Sequence, residues 1–228
     1  PARSFFSSAS CIVNTGYTPV FADVKLSTQN ICLDDIKKKI TKKTKAIICV
    51  HLGGLPCDMG NIKKFASKNK IKIIEDCSQA HGASINNKQV GSFGDISTWS
   101  FCNDKIISTL GEGGMLSTNQ KKIYEFCKRY INHGTNLKNN KKTEKFIYNK
   151  DYFGTNLRIT EIQSFAGLSQ LKNLKKIQKK RENISKSYFN FITKYQNYFD
   201  CYYPSKKIKS AWYRFYFFIK TDLKNYQK

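Results

Sequence analysis

The chain has 228 residues, of which 40% are hydrophobic and 14% aromatic, and this composition excludes an intrinsically disordered protein. Its apolar runs have the length of strands and are too short to span a bilayer, and its first residues lack a signal-peptide pattern, so we expect no membrane partner. The formal net charge of +24 favours nucleic-acid binding, but the basic residues are mostly dispersed lysines and no zinc-finger or RNP motif occurs, so we expect no nucleic-acid partner.

The first part of the chain alternates predicted strands with predicted helices. Strands are predicted for the apolar stretches 18–24 (TPVFADV), 45–52 (KAIICVHL) and 71–76 (IKIIED), and helices for 33–40 and 61–70. Near-continuous apolar strands that alternate with helices are typical of a parallel sheet covered on both faces. This pattern predicts an α/β fold with a mainly parallel sheet.

The middle of the chain adds two strands, a helix and a loop. Strands are predicted at 96–101 (ISTWSF) and 113–118 (GGMLST), and a helix closed by glycine at 120–134. The lysine-rich segment 134–156 has no clear periodicity. It reads as a long irregular loop, and such loops in compact domains are usually functional or disordered.

A long helix is predicted at 160–192, where Thr160 and Gln163 have the spacing of a capping box. The tail 210–221 (SAWYRFYFFIKT) is predicted to be a strand without a partner in view. We expect two domains. Residues 1–155 form a large α/β domain whose N-terminal part is missing, and residues 156–228 form the long helix and the start of a smaller, truncated α+β domain.

The eight cysteines are expected to be reduced and to bind no metal. None forms a C-x-x-C pair, so the spacing argues against a zinc site, and several lie in apolar strands. They are Cys11, Cys32, Cys49, Cys57, Cys77, Cys102, Cys127 and Cys201. Reduced thiols without a secretion signal predict a cytoplasmic protein.

Polar residues follow several predicted strands, at the edge where ligands bind in open α/β sheets. His51 and Asp76 close two strands, and Ser100 and Lys105 lie at and just after a third. The chain has no glycine-rich nucleotide fingerprint of the G-x-G-x-x-G or P-loop type. A lysine after a strand, with a carboxylate on a neighbouring strand, suits pyridoxal phosphate (PLP). A solvent-exposed lysine is the alternative.

Four sequence blocks make the interpretation specific. They are EDCSQAHGA (75–83), VGSFGD (90–95), SFCNDK (100–105) and GEGG (111–114). In this order they closely resemble the central segment of the DegT/DnrJ/EryC1/StrS family of PLP-dependent sugar aminotransferases. The resemblance extends over essentially the whole chain and implies the PLP-dependent transferase fold type I.

The resemblance implies four roles around the cofactor. Lys105 matches the lysine that forms the internal aldimine and then moves protons, and Asp76 matches the partner of the pyridine nitrogen. Gln79 matches the contact of the phenolic oxygen, and Ser100 matches a phosphate-binding serine. The structural alternatives are a surface lysine, a helix cap, a surface glutamine and a satisfied core hydroxyl.

Two further roles implied by the resemblance concern the cofactor's surroundings. Asn156 matches an asparagine that reaches the phosphate from a neighbouring subunit, which implies a homodimer with shared active sites. A turn asparagine is the alternative. Phe5 matches the aromatic residue that stacks on the pyridine ring, with Phe6 as its rival and a core role as the alternative. Roles are left open for His51, His81, His133 and Arg158.

The resemblance implies transfer of an amino group, with glutamate as the donor, to a nucleotide-linked keto sugar. The product is expected to be an amino sugar for surface polysaccharide or O-antigen. One alternative is a PLP-dependent sugar dehydratase, because some relatives carry histidine in place of the lysine. A cyclitol aminotransferase and a degenerate, non-catalytic relative are the others.

Overall fold

The computed structural model describes residues 1–135 and 152–220. Its α-helices are α1 (Ser7–Asn14), α2 (Leu33–Lys39), α3 (Met59–Lys68), α4 (Lys121–Tyr130) and α5 (Glu161–Lys194). Its strands are β1 (Ala46–Val50), β2 (Lys72–Asp76), β3 (Ser84–Ile85), β4 (Lys88–Gln89), β5 (Ile96–Ser100), β6 (Gly114–Ser117), β7 (Phe199–Asp200), β8 (Ile208–Lys209) and β9 (Phe218–Ile219). A short 3-10 turn, Leu52–Gly54, follows β1.

The main sheet has the strand order β1-β2-β5-β6. Strand β2 runs parallel to both β1 and β5, whereas β6 runs antiparallel to β5. The mainly parallel sheet predicted from the sequence is therefore confirmed, with one antiparallel strand. Because the parallel strands share a direction, the carboxyl ends of β1, β2 and β5 lie at one edge of the sheet. Strand β6 begins at this edge, since Gly114 pairs with Ser100.

Helix α3 packs against the main sheet through one apolar face. Met59, Ile62 and Ala66 are spaced by three and four residues, so they share one helix face, and all three are buried. They belong to one core cluster with residues of β1 and β2. Full burial of a side chain such as Ile62 stabilises the fold by about 1.5–3 kcal/mol.

Helix α5 begins with the predicted capping box. The Thr160 hydroxyl accepts from the Gln163 backbone N–H at 3.3 Å, and the Gln163 side chain accepts from the Thr160 N–H at 3.1 Å. Further along the helix, the buried Gln178 donates to the backbone carbonyl of His81 at 2.7 Å. The helix is therefore tied to the loop that follows β2.

Two predictions from the sequence are wrong. Residues 18–24 form no strand, and an isolated bridge between Val24 and Ile31 is the pairing found there. Val20 and Phe21 are exposed, and proline at position 19 has no N–H to donate, so this stretch has no described sheet partner to stabilise it as a strand.

The tail is also not one strand without a partner. Strand β9 pairs with β7, while β8 pairs with β3. Between them, Ala211 N–H donates to the Gly54 carbonyl at 2.9 Å and Arg214 N–H to the Gly53 carbonyl at 3.1 Å. The turn after β1 is therefore the partner of this segment, and the distance along the chain hid it from the sequence pattern.

Other predictions agree with the structure or fall outside it. Helix α4 ends at Tyr130 and Gly134, at φ 72°, closes it by donating to the Arg129 carbonyl at 2.9 Å. The predicted loop at 134–156 lies largely outside the described residues. None of the described helices is both long and apolar enough to cross a membrane. The division into two domains stays a prediction.

Candidate active site

The carboxyl edge of the sheet brings together residues from three strands. Asp76 is the last residue of β2 and Ser100 is the last residue of β5. Asp76 pairs in register with Val50 on β1 and Thr98 on β5. Lys105 follows β5 in a turn in which its N–H donates to the Cys102 carbonyl at 3.0 Å.

Asp76 has its carboxylate oriented from two sides. Its Oδ1 accepts from the Ser78 N–H at 3.1 Å, and its Oδ2 accepts from the Ser8 hydroxyl at 3.1 Å. Ser8 lies in the first turn of α1, so this bond joins α1 to the end of β2. A carboxylate has about four acceptor positions, so Asp76 can still accept from a protonated ring nitrogen.

Gln79 is oriented by the turn after β1. Its Oε1 accepts from the Gly53 N–H at 2.6 Å. This bond distinguishes the two ends of the amide, because the oxygen is engaged and the Nε2 end is left to donate. Gln79 can therefore offer a hydrogen bond to an anionic oxygen of a ligand.

Lys105 is mostly buried, with a side chain that is 14% exposed. Its Nζ lies 3.2 Å from the carboxylate of Asp104 and 5.2 Å from the centre of the Tyr213 ring. Burial lowers the pKa of Lys105, but the Asp104 carboxylate and the Tyr213 hydroxyl outweigh burial, so the pKa is raised overall. The amine is thus held as an ammonium at a partly enclosed position.

His81 is a buried residue whose ring is incompletely satisfied. It is 3% exposed and packs against Trp99 and Phe101, with ring centres at 5.4 and 5.8 Å. Among the described residues, neither ring nitrogen has a hydrogen-bond partner. Burial lowers the pKa of His81 to about 4; the backbone of Ser100 opposes this shift and the charge of Lys105 adds to it. The imidazole is therefore neutral.

A second buried histidine supports the same edge. His51 Nδ1 accepts from the Cys57 N–H at 3.0 Å, so the proton lies on Nε2, which donates to Glu75 at 3.1 Å. Burial raises the pKa of Glu75, but His51 and the backbone N–H groups of Gly91 and Gly94 outweigh it, so the pKa is lowered overall. This network holds the turn before β5.

Three residues in and beside this network are of types that can bind a metal ion, but their protonation and hydrogen bonds do not suit one. One ligand atom from each of His51, Glu75 and Cys77 lies within 4.8 Å of the others. Both ring nitrogens of His51 are already engaged, and burial raises the pKa of the Cys77 thiol strongly. A metal ligand needs a deprotonated thiol and a free nitrogen lone pair, so this cluster does not fit a metal.

Two of the predicted site residues lie at the surface of the single chain. Phe5 is 72% exposed and Phe6 is 78% exposed, just before α1 and close in sequence to Ser8. Asn156 is exposed, forms a bridge with Asn132 and accepts from a backbone N–H through its side chain. The contacts described for Asn156 are with Asn132, just after α4, and with Arg158, and none is with Asp76, Ser100 or Lys105.

The comparisons with known proteins assign the chain to a family. The model of the DegT/DnrJ/EryC1/StrS aminotransferase family matches residues 1–228. The chain belongs to this family. Members of the family depend on PLP, and the predicted transferase fold type I is confirmed.

Individual proteins similar to this chain support its membership of the DegT/DnrJ/EryC1/StrS family. It is 42% identical over 183 residues to the GDP-perosamine synthase of Escherichia coli O157:H7, covering 80% of this chain and 48% of the relative. An aminotransferase of Psychrobacter cryohalolentis has a TM-score of 0.94 at 38% identity, covering 97% of this chain and 58% of the other. A GDP-4-keto-6-deoxymannose-3-dehydratase with bound GDP-perosamine has a TM-score of 0.83 at 29% identity, covering 97% and 59%. The chain spans about half the length of the curated relatives it matches.

The residues at the sheet edge of this family member fit PLP. Lys105 supplies an amine, Asp76 a carboxylate, Gln79 an amide donor and Ser100 a hydroxyl, which suit an aldehyde, a pyridine nitrogen, a phenolic oxygen and a phosphate. The unpartnered nitrogens of His81, beside Ser100 and Lys105, fit a site that a polar ligand completes.

The structure adds site residues that the sequence did not reveal. Ser8 orients Asp76 from 68 positions away, and Tyr213 contacts Asp104 from 109 positions away. Neither contact has a periodic or motif signal. Asp104 could have been noticed, because an acidic residue directly precedes the matched lysine.

Proposed function

We propose that the protein carrying this chain is a PLP-dependent aminotransferase that transfers an amino group to a nucleotide-linked keto sugar. Glutamate is the proposed donor. The observation that carries the proposal is the partly enclosed amine of Lys105, which follows β5 at the sheet edge where Asp76 ends β2. Family membership supplies the reaction class.

Four side chains would hold the cofactor. Asp76 would pair with the pyridine nitrogen, Gln79 would donate to the phenolic oxygen, Ser100 would bind the phosphate and Lys105 would bind covalently. When bound, PLP supplies an electron sink for the carbon that loses a proton. The bonds from Ser8 and Ser78 fix the Asp76 carboxylate in advance, so it needs no reorganisation on binding.

Lys105 is the proposed proton carrier. Its Nζ would take the proton from the donor carbon that bears the amine, and in the second half of the cycle it would deliver a proton to the sugar carbon that receives the amine. The neighbouring carboxylate of Asp104 favours the ammonium form once the proton has been taken up. Because this contact favours the ammonium in the cofactor-free protein, Lys105 would act as a base only after it has given up that proton.

The partner subunit completes the proposal. Asn156 would reach the cofactor phosphate of a neighbouring subunit, so the protein would be a homodimer with shared active sites. The exposure of Asn156 and the absence of a contact with Lys105 among its described contacts are compatible with a role toward another chain. Phe5 would stack on the pyridine ring. A cytoplasmic location remains part of the proposal.

The names of the similar proteins support a proposal for the substrate class. The relative from Escherichia coli O157:H7 is named for a GDP-linked amino sugar, and the similar dehydratase holds the same compound. We therefore propose a nucleotide-linked keto sugar as the amino acceptor, and an amino sugar for polysaccharide as the product.

A sugar dehydratase is the second candidate, because a dehydratase is among the similar structures. It would use the same cofactor site but would remove a hydroxyl group from the sugar, which leaves as water, without adding nitrogen to the product. Lys105 favours the aminotransferase, since relatives that dehydrate carry histidine at the matched position. The two reactions differ in whether nitrogen from the donor appears in the sugar.

The test uses the whole protein, loaded with PLP, and its visible absorption. Covalent attachment to a lysine should give an absorption band that Lys105→Ala removes and Lys64→Ala, at an exposed position of α3, retains. Glutamate should bleach the band and a GDP-linked keto sugar should restore it, with ¹⁵N passing from glutamate to the sugar. Absence of a band in the unmodified protein would contradict the enzyme function, and a product without ¹⁵N would favour the dehydratase.

A further inference from the structure

Asp104 lies at the centre of a contact network around the Lys105 amine. Each of its carboxylate oxygens lies 3.2 Å from Lys105 Nζ. The Tyr213 hydroxyl donates to Oδ2 of the same carboxylate at 2.5 Å, and the Lys105 ammonium also lies over the Tyr213 ring. Three side chains thus form a closed set of contacts, in which Tyr213 touches both the acid and the base.

The local chain does not force Asp104 and Lys105 together. Neighbouring residues in a helix or strand point in different directions, so a contact between adjacent side chains needs a specific backbone shape. Here the turn closed by Lys105 N–H and the Cys102 carbonyl provides it. The contact with Tyr213 then comes from the far end of the chain, which makes the arrangement a tertiary feature.

Tyr213 is itself held in place. The Arg181 guanidinium of α5 donates to the backbone carbonyls of Trp212 and Tyr213, at 3.0 and 3.4 Å. Arg214 donates its N–H to the Gly53 carbonyl, and its guanidinium lies 5.4 Å from the centre of the Tyr213 ring. The hydroxyl that orients Asp104 therefore rests on α5 and on the turn after β1.

The charges around the amine favour one state. The hydrogen bond from the Tyr213 hydroxyl lowers the pKa of Asp104, slight burial raises it, and Lys105 lowers it further. The resulting pKa is about 2, so Asp104 is a carboxylate at neutral pH. His81, in the loop after β2, has a pKa that burial and the charge of Lys105 lower, so it is neutral. The Asp104 carboxylate is thus the negative charge in direct contact with the ammonium.

We propose that Asp104, oriented by Tyr213, is a positioning residue that binds Lys105 when this amine is protonated and not bonded to the cofactor. The pair returns the lysine to the same place between catalytic events and limits the fraction of free amine. The role of this ion pair in catalysis rests on the proposed function of Lys105. The ion pair itself can be tested without cofactor.

The ion pair predicts a specific change in amine reactivity. Only the neutral amine reacts with an acylating reagent, and a tenfold change in its fraction corresponds to one pKa unit. The Asp104 side chain is 56% exposed, so solvent screens the pair. We expect Asp104→Asn to increase the acetylation rate of Lys105 about threefold at a pH below the lysine pKa, a modest change of about half a unit.

The test is competitive acetylation of the whole, cofactor-free protein with trace acetic anhydride across a pH series. Mass spectrometry quantifies the peptide that contains Lys105 against one that contains the exposed Lys64. Asp104→Asn should shift the Lys105 profile to lower pH, and Tyr213→Phe should shift it less, because the carboxylate remains. Asp104→Glu should restore most of the slow labelling.

Two results would overturn the proposal. One is a Lys105 profile that Asp104→Asn leaves unchanged relative to Lys64, and the other is equally fast labelling of the Asn and Glu variants. Circular dichroism spectra that superimpose on those of the unmodified protein show that each variant is folded. Because no cofactor is present, failure here leaves the aminotransferase proposal intact, and loss of the visible band in that experiment leaves the labelling result intact.

Discussion

Replacing Glu75 by glutamine should strongly destabilise the fold. The side chain is fully buried and its two oxygens accept four hydrogen bonds. Oε1 accepts from Phe93 N–H at 2.7 Å and Gly94 N–H at 2.6 Å, whereas Oε2 accepts from His51 Nε2 at 3.1 Å and Gly91 N–H at 2.9 Å. In Glu75→Gln one oxygen becomes an NH2 group, which donates and cannot accept. In either orientation of the amide, the two groups that donated to that oxygen lose their acceptor.

The magnitude follows from the two donors that lose their acceptor. Each buried donor without a partner costs about 1–3 kcal/mol, which gives about 2–6 kcal/mol for the pair. His51 cannot relieve the clash by moving its proton, because Nδ1 must remain an acceptor for the Cys57 N–H. This cost is a large share of a total stability of about 5–15 kcal/mol.

Urea unfolding of the whole protein, followed by circular dichroism, measures this cost as a change in the free energy of unfolding. The control is Glu182→Gln, which removes a solvent-accessible ion pair with Lys186 on α5 and should cost under about 1 kcal/mol. A cost for Glu75→Gln no larger than that of the control would refute the account of Glu75 as a saturated buried acceptor.

Three further outcomes are expected. Because the folded state lowers the pKa of Glu75 below its ordinary 4.5, its contribution to stability is present above that pH and lost as the pH falls below it, so urea midpoints should fall on acidification. Ile62→Ala should cost about 2–5 kcal/mol in urea unfolding, since the side chain is fully buried; a cost below that of a surface change on α3 would contradict the packing. Thr160→Ala should cost about 1 kcal/mol and speed amide exchange in the first turn of α5, whereas Thr193→Ala near its other end should leave that turn unchanged.

Local patterns predicted the part of the fold that positions the site. Strands β1, β2 and β5 are apolar runs of strand length, and the capping box marks the start of α5 at Thr160. Once these strands are parallel, their carboxyl ends must share an edge. The sequence therefore predicted that Asp76 and Ser100 lie together at this edge. Their roles, with those of Lys105 and Gln79, remain predictions.

Contacts between residues far apart along the chain could not be predicted from the sequence, for a physical reason. The apolar residues of 18–24 match a strand pattern, but a strand needs a hydrogen-bonded neighbour, and periodicity does not report whether one exists. In the same way, Ser8 reaches Asp76 and Tyr213 reaches Asp104 only after the chain has folded. The roles predicted for Phe5 and Asn156 involve a bound cofactor and a second subunit, and they remain predictions.

Gly53, in the turn after β1, connects distant parts of the chain through the two peptide units that flank it. The Gly53 N–H binds Gln79, its carbonyl accepts from Arg214, and its φ of 63° suits glycine. A Cβ at this position would lie 2.5 Å from a ring carbon of Tyr216. Any side chain there would push on the Tyr216 ring and strain the turn whose N–H orients Gln79. Position 53 should therefore tolerate almost no sequence variation, although it carries no chemistry of its own.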